Sequence, residues 1–268
     1  MKDIYIRTLT GFFFLVAVIG SILLHPLAFF GLFFVFVFLG LKEFALLTGN
    51  GRKTNVAFYV LGMFVYILTG LIGLGLVDIR YAYLILLVFP LTIICELFRK
   101  KDASWNRIGA CFTAFFYVAL PFGLLNALFV LPDREGYHTG ILIGTFVIVW
   151  SSDIFAYLAG SMFGKHRLFE RISPKKSWEG SIGGLLFALL AAYILSLFFN
   201  ELSLTRWLIM AIIIVITGTL GDLSESFLKR KAGVKDSGNI FPGHGGVLDR
   251  FDATLFAVPF VFVYINLF

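Results

Sequence analysis

Carboxylates set against a basic, glycine-rich stretch are where this sequence first suggests chemistry. From Ser226 to Asp252 the chain reads SFLKRKAGVKDSGNIFPGHGGVLDRFD, a polar segment lodged between two apolar runs, with Asp222 and Asp249 just inside those runs. Ionisable groups at membrane depth are expensive and mark functional cavities or internal pairs. At 100° per residue on a helix, Asp222, Ser226 and Lys229 lie within about 40° of one direction, with Glu225 about 60° to one side. A stripe of acid, hydroxyl and base on one face points into a cavity, and a structural Asp–Lys pair between helices would use the same residues. Gly218 and Gly221 thin the helix beside the acid, so another group is expected to approach there.

Asp249, Arg250 and Asp252 open the following apolar run. One acid in that place would serve the helix dipole and nothing more. Two acids on each of two consecutive helices, joined by a short loop, are expected instead to converge on one divalent cation. Mg2+ suits them, because it takes oxygen ligands, often one or two carboxylates with water and substrate phosphates completing the shell. The cations Lys229, Arg230, Lys231, Lys235 and Arg250 find natural partners in phosphate oxygens. Positive charge alone also fits anionic lipid headgroups, but that reading leaves Gly233, Gly238, Gly243, Gly245 and Gly246 unexplained. Glycines allow close backbone approach to a ligand, and loop amides can bind anions. His244 either titrates near neutrality or donates a hydrogen bond, and both roles stay open.

A second cluster precedes the first. Asp153, Tyr157, Gly160 and Gly164 share a helix face to within about 40°. Gly160 and Gly164 have the small-xxx-small spacing of a helix-packing device, whereas Asp153 with Ser151 and Ser152 is harder to assign to packing. Downstream, Lys165 to Glu179 reads as a loop ending in Ser173-Pro174-Lys175-Lys176-Ser177-Trp178-Glu179-Gly180. A basic pair, hydroxyls, an aromatic ring and an acid suit a nucleoside triphosphate. They equally suit a Trp-anchored helix start with a Ser–x–Glu cap.

The frame around these groups is set by composition. Of 268 residues, 59% are hydrophobic, 18% aromatic and only 14% charged, against about 25% charged in a soluble domain. The sequence predicts an all-α polytopic membrane protein with nine transmembrane helices. The apolar runs are 8–24, 26–41, 54–77, 81–96, 108–132, 139–164, 180–200, 207–227 and 248–268. If the N-terminus is cytoplasmic, all but Arg80, Arg134 and Arg206 of the 22 lysines and arginines fall on the cytoplasmic side. That bias places the N-terminus inside, the C-terminus outside, and both polar segments in the cytoplasm. The net charge of +6 therefore reports topology, and nucleic acid is not an expected partner. Cys95 and Cys111 sit in apolar context without CxxC spacing and read as small hydrophobes. No repeat or linker divides the chain, so one membrane domain is expected, with 1–137 mainly structural and 138–268 carrying the chemistry.

The pattern S-x-x-K-R-x4-K-D-x-G-x2-F-P-G-H-G-G-x-x-D-R-x-D, occupied by Ser226 through Asp252, resembles the signature of the phosphatidate cytidylyltransferases, or CDP-diacylglycerol synthases. Asp153 through Gly164 and the SPKKSWEG segment are similar to that family as well. The resemblance implies transfer of a cytidylyl group from CTP to phosphatidate, giving CDP-diacylglycerol and pyrophosphate, with Mg2+ and a monovalent cation such as K+. It implies Asp222 and Asp249 as metal ligands, to which Asp252 is added here. Lys229, Arg230, Lys235 and Arg250 are assigned here to phosphates. Asp222, Lys229, Asp249, Arg250 and His244 form the expected catalytic set. Ser226, Arg230, Lys235, Asp236, Gly245 and Gly246 are the expected substrate-binding positions, with Asp153, Lys175, Lys176, Ser177 and Glu179 as further candidates toward CTP. The lipid is expected to enter sideways from the cytoplasmic leaflet. A homodimer follows from the family and the small-residue helix faces, and a short chain without soluble extensions suits a bacterial inner membrane.

Three rivals are weighed against this. A CTP-dependent lipid-alcohol kinase shares an Asp-Ile-Phe-Ala-Tyr-x-x-Gly pattern, present at 153–160, but not the HGGVLDRFD loop. A CDP-alcohol phosphotransferase would show D-G-x2-A-R-x8-G-x3-D-x3-D, which is absent from the sequence. An ion-coupled transporter would explain intramembrane Asp153 and Asp222, yet neither internal repeats nor paired broken helices are evident.

Overall fold

Over its described residues each apolar run of the sequence is mainly helix, because hydrocarbon offers no partner for an unpaired backbone N–H or C=O. The computed structural model describes residues 2–51, 55–99, 103–131 and 135–268, with side chains from Thr8 onward. The expected run ends at Thr54 and Pro132, and the cations Arg52, Lys53, Lys100, Lys101 and Arg134, lie outside the described residues.

The helices are α1 (Lys2–Leu24), α2 (Pro26–Leu47), α3 (Val56–Gly73), α4 (Val88–Leu97), α5 (Trp105–Ala114), α6 (Leu120–Ala127), α7 (Gly140–Phe163), α8 (Trp178–Phe198), α9 (Leu204–Lys231) and α10 (Leu248–Leu267). A 3-10 segment, Ile79–Leu87, leads into α4, and a π-helical turn, Phe115–Ala119, joins α5 to α6. Pro121 follows that turn and has no N–H to return to the preceding carbonyls, a local reason for the wider winding. Local chemistry starts several helices. His25 accepts from Leu27 N with Pro26 at the first helical position, and Asn55 accepts from Phe58 N.

Among the described residues, seven helical stretches are long and apolar enough to cross a membrane: Pro26–Leu47, Val56–Gly73, Ile79–Leu97, Trp105–Ala127, Gly140–Phe163, Trp178–Phe198 and Leu204–Lys231. The chain is thus an all-α polytopic membrane protein. Thr8–Leu24 is a shorter apolar helix, and α10 carries Asp249, Arg250 and Asp252 in its first turns before becoming apolar.

Two features depart from the expected pattern. Helix α2 does not stop near Leu41 but continues to Leu47, so Lys42 and Glu43 lie within it. The segment read as a loop contains an antiparallel hairpin, β1 (Arg167–Phe169) and β2 (Ser173–Ser177), pairing Arg167 with Ser177 and Phe169 with Ser173. Strands this short, one of three residues and the other carrying a proline and two lysines, leave no apolar alternation to read.

The chain groups into two compact units. The first comprises Met1–Val130 with Lys231–Arg250, and the second Leu131–Arg230 with Phe251–Phe268. In the first, Phe29, Phe33 and Phe122 are fully buried and linked by ring contacts, with Phe29 and Phe33 stacked at 4.0 Å. The glycine-rich loop belongs to this unit, where the Phe241 ring packs on Phe14 at 5.5 Å and on Phe36 at 6.2 Å. In the second unit α7 and α8 pack closely enough for Phe155 and Phe187 to stack at 3.5 Å. Glycines allow this. A Cβ at Gly180 would stand 2.8 Å from Ala156 O, and one at Gly184 2.8 Å from Ser152 O. Gly160 faces Gly180 and Ser177, so its small-residue spacing serves packing. The outer face of α8 exposes Leu186, Leu190, Leu197 and Phe198, a surface suited to lipid tails.

Candidate active site

Within the second unit the chemistry gathers on α9. Asp222 Oδ1 accepts from Ser226 Oγ at 3.2 Å, one turn away. Its other oxygen, Oδ2, pairs with Lys176 Nζ at 2.5 Å. Lys176 comes from β2, so the hairpin brings a cation to the acid that helical periodicity singles out. Lys229, on the same helix stripe, pairs instead with Glu225 at 2.5 Å, a side chain with 0% exposure. A charge pair this deep is retained only when the partners are well matched, since removing either leaves an uncompensated buried charge.

The thinning of α9 has a visible cause. A Cβ at Gly221 would stand 2.5 Å from Asp252 O and 2.6 Å from the Phe256 side chain, and one at Gly218 3.3 Å from Ala253. The approaching group is thus the first turns of α10. This packing brings the half-buried Asp252 into the field of three further carboxylates, foremost Asp222, then Glu225 and Asp153.

At the start of α8, Ser177 is the N-cap residue, its Oγ accepting from Gly180 N at 3.1 Å. Glu179 accepts from the backbone N–H groups of Lys165 and His166 and lies 2.6 Å from His166 Nδ1. Those bonds tie the hairpin's first residues to the helix, so the SPKKSWEG segment is a braced hairpin-to-helix junction. Lys175 on β2 is exposed, and so is Asp153 on α7.

The first unit holds a different arrangement. Asp249 Oδ2 accepts from Ser237 N at 2.8 Å and Gly246 N at 2.8 Å, and lies 2.9 Å from Ser237 Oγ, whose one proton it shares with Glu43. Glu43, 3% exposed on α2, accepts from Val247 N through Oε1 at 2.9 Å, and from Leu248 N and Ser237 Oγ through Oε2, also at 2.9 Å. Three of the loop glycines, Gly238, Gly245 and Gly246, are explained by these two acids, whereas Gly233 and Gly243 serve turns at positive φ. A Cβ at Gly246 would overlap Ser237 Oγ and Glu43 Oε2, and one at Gly238 would stand 2.5 Å from Glu43 Oε1. Gly245, at φ +86°, could not carry a Cβ without overlapping Asp249 Oδ2. The close approach read from the sequence is therefore to the protein's own carboxylates. His244 lies beside α1, where a Cβ at Gly11 would be 3.4 Å from its Nε2. Arg230, Lys231, Lys235, Asp236 and Arg250 are exposed.

Glu43 is the residue that sequence reasoning missed. Its signal was a lone acid near the end of an apolar run, which reads as a membrane boundary unless the helix continues past it.

A sequence profile of the cytidylyltransferase family matches residues 5–268. The chain belongs to the cytidylyltransferase family. It is 34% identical over 260 residues to a phosphatidate cytidylyltransferase of Staphylococcus saprophyticus, covering 95% of this chain and 96% of the relative. It is 41% identical over 170 residues to a phosphatidate cytidylyltransferase of Haemophilus influenzae, covering 60% of this chain and 59% of that relative. A relative of the same name from Staphylococcus aureus is 42% identical over 159 residues, covering 58% of this chain and 60% of its own length.

For a cytidylyltransferase, the donor atoms on α9 and α10 are of the type that Mg2+ takes. Asp252, placed among Asp222, Glu225 and Asp153, makes a concentration of carboxylate charge that a cation would relieve. Among the described residues no group of three or more acid, histidine or cysteine side chains is arranged to hold a metal ion by itself. Mg2+ does not need one, because water and substrate phosphates complete its octahedron.

Proposed function

We propose that this cytidylyltransferase acts on phosphatidate, moving the cytidylyl group of CTP onto the lipid to give CDP-diacylglycerol and pyrophosphate. The observation that carries the reading is the full 226–252 pattern, in a chain whose relatives bear the name phosphatidate cytidylyltransferase. An oxygen of the lipid phosphate forms a bond to the α-phosphorus of CTP as the bond to the pyrophosphate oxygen breaks, and the electron pair leaves with pyrophosphate. Phosphatidate is already anionic near neutral pH, so no dedicated base is required, and His244 is assigned to positioning or proton transfer.

The residues would divide the work by charge. Asp222 and Asp249 are the proposed Mg2+ ligands, with Asp252 beside Asp222. Bound Mg2+ would neutralise phosphate charge and polarise the phosphoryl oxygens, and a monovalent cation such as K+ is a further proposal from the family resemblance. Lys176 and Lys229, held on Asp222 and Glu225, are pre-positioned cations for which phosphate oxygens compete. Exposed Arg230, Lys235 and Arg250 would meet phosphates arriving from solvent or the headgroup layer. Lys175, with Ser177 and Glu179 bracing the hairpin, would border the CTP site, together with Ser226, Asp236, Gly245, Gly246 and Asp153.

Nine crossings complete the reading, with α1 and α10 added to the seven stretches of sufficient length. The charge bias supports a cytoplasmic N-terminus, an external C-terminus and an active site facing the cytoplasm of a bacterial inner membrane. A homodimer is proposed on the small-residue helix faces.

CTP labelled at either the α- or the γ-phosphate tests the reaction. Purified protein with phosphatidate and Mg2+ should place the α-label in lipid and the γ-label in pyrophosphate. A γ-label in lipid with release of CDP would make it a lipid kinase instead.

A further inference from the structure

Val247 N and Leu248 N lie at the start of α10, where backbone N–H groups have no acceptor within the helix. Helices usually meet this need with a cap residue adjacent in sequence. Here the acceptor is Glu43, 204 and 205 residues away on α2. A carboxylate is favoured at this end of a helix dipole, and this one is almost fully buried. The same carboxylate accepts from Ser237 Oγ, and that hydroxyl also lies 2.9 Å from Asp249 Oδ2. Asp249 in turn takes Ser237 N and Gly246 N. The donors that orient Asp249 thus belong to the segment that Glu43 clamps at both ends, at Ser237 and at Val247–Leu248.

We propose that Glu43 is a positioning residue for the cytidylyl transfer: its carboxylate fixes the 237–248 loop and, through it, the orientation of Asp249. The inference rests on the reaction proposed above. Glutamate is specifically required. Both of its oxygens accept from backbone N–H groups, so the NH2 of a glutamine would face a donor whichever way the amide turned. Aspartate lacks the methylene that carries the carboxylate to the loop. The bulk of Glu43 against Gly238 and Gly246 likewise leaves no room for a differently shaped side chain.

The test compares wild type with Glu43→Gln and Ser237→Ala in detergent, by hydrogen exchange and by turnover. Glu43→Gln should speed exchange in peptides covering 236–248 while α3 and α6 keep their protection. Its kcat should fall about 10- to 100-fold, the range of changes that misorient a group acting on a metal or substrate, with KM for CTP within about 3-fold. Ser237→Ala, which keeps both backbone amides on Glu43, should show the same loop-confined signature at smaller size and covers the case in which Glu43→Gln does not fold. Wild-type exchange in the loop of both variants would overturn the proposal. Loss of protection spread equally through α3 and α6 would do so too, because it would make Glu43 a general stabiliser. If wild type produced no CDP-lipid, the reaction would be wrong, and the exchange data would still decide whether Glu43 holds the loop.

Discussion

The two acid centres of this protein are satisfied in opposite ways. Glu43 and Asp249 accept from donors fixed by the chain: backbone amides and one hydroxyl. Around Asp222 and Glu225 the charged partners are lysine ammonium groups, Lys176 and Lys229, with the Ser226 hydroxyl also on Asp222. Amide donors fix geometry and cannot be drawn away by a passing anion. Lysines are flexible point charges with a strong affinity for phosphate. The first centre is therefore built to hold a shape, and the second to exchange partners when a phosphate-bearing substrate arrives.

Metal removal should separate the two most sharply. Chelation with EDTA is expected to abolish turnover, with recovery on adding Mg2+, while the slow exchange of the Ser237, Val247 and Leu248 amides persists. Loss of loop protection with the metal would break the distinction. The next largest effect is expected from Lys176→Met, which removes a cation from Asp222 and from the developing phosphate charge. Its kcat/KM should fall about 100-fold or more, the scale of deleting one well-placed stabilising donor, with loop exchange unchanged. Gly246→Ala should act on the opposite centre. Its methyl overlaps Ser237 Oγ and Glu43 Oε2, so loop exchange should speed up and thermal stability should fall by about 1–3 kcal/mol, as for other overpacked sites. The smallest effect belongs to Asp78→Asn. Arg80 holds the Asp78 carboxyl below its usual range, so this pair contributes above the unfolded carboxylate pKa and is lost as the pH falls through the lower folded value. Both residues are exposed, and neither turnover nor melting temperature should change measurably at neutral pH.

The same contrast governs what could be read from the sequence. Asp222 and Ser226 were legible because four residues make about one helical turn, and their hydrogen bond needs nothing beyond the helix. The pairing of Asp222 with Lys176 was not, since it depends on a hairpin whose strands carry no apolar alternation. Gly221, Gly238, Gly245 and Gly246 announced close approach, but only packing could show that their neighbours are Asp252, Glu43 and Asp249. Glu43 was hidden most completely. An acid after a long apolar run marks a membrane boundary in most chains, and its partners lie more than 190 residues away.

The most direct test of the whole account is pyrophosphate and CDP-lipid formation from CTP, phosphatidate and Mg2+ by wild type, Asp222→Asn and Asp249→Asn side by side. The account predicts equal amounts of the two products from wild type. In each variant it predicts a loss beyond the roughly 100-fold that outer-shell changes reach. Near wild-type product from folded Asp222→Asn would contradict it.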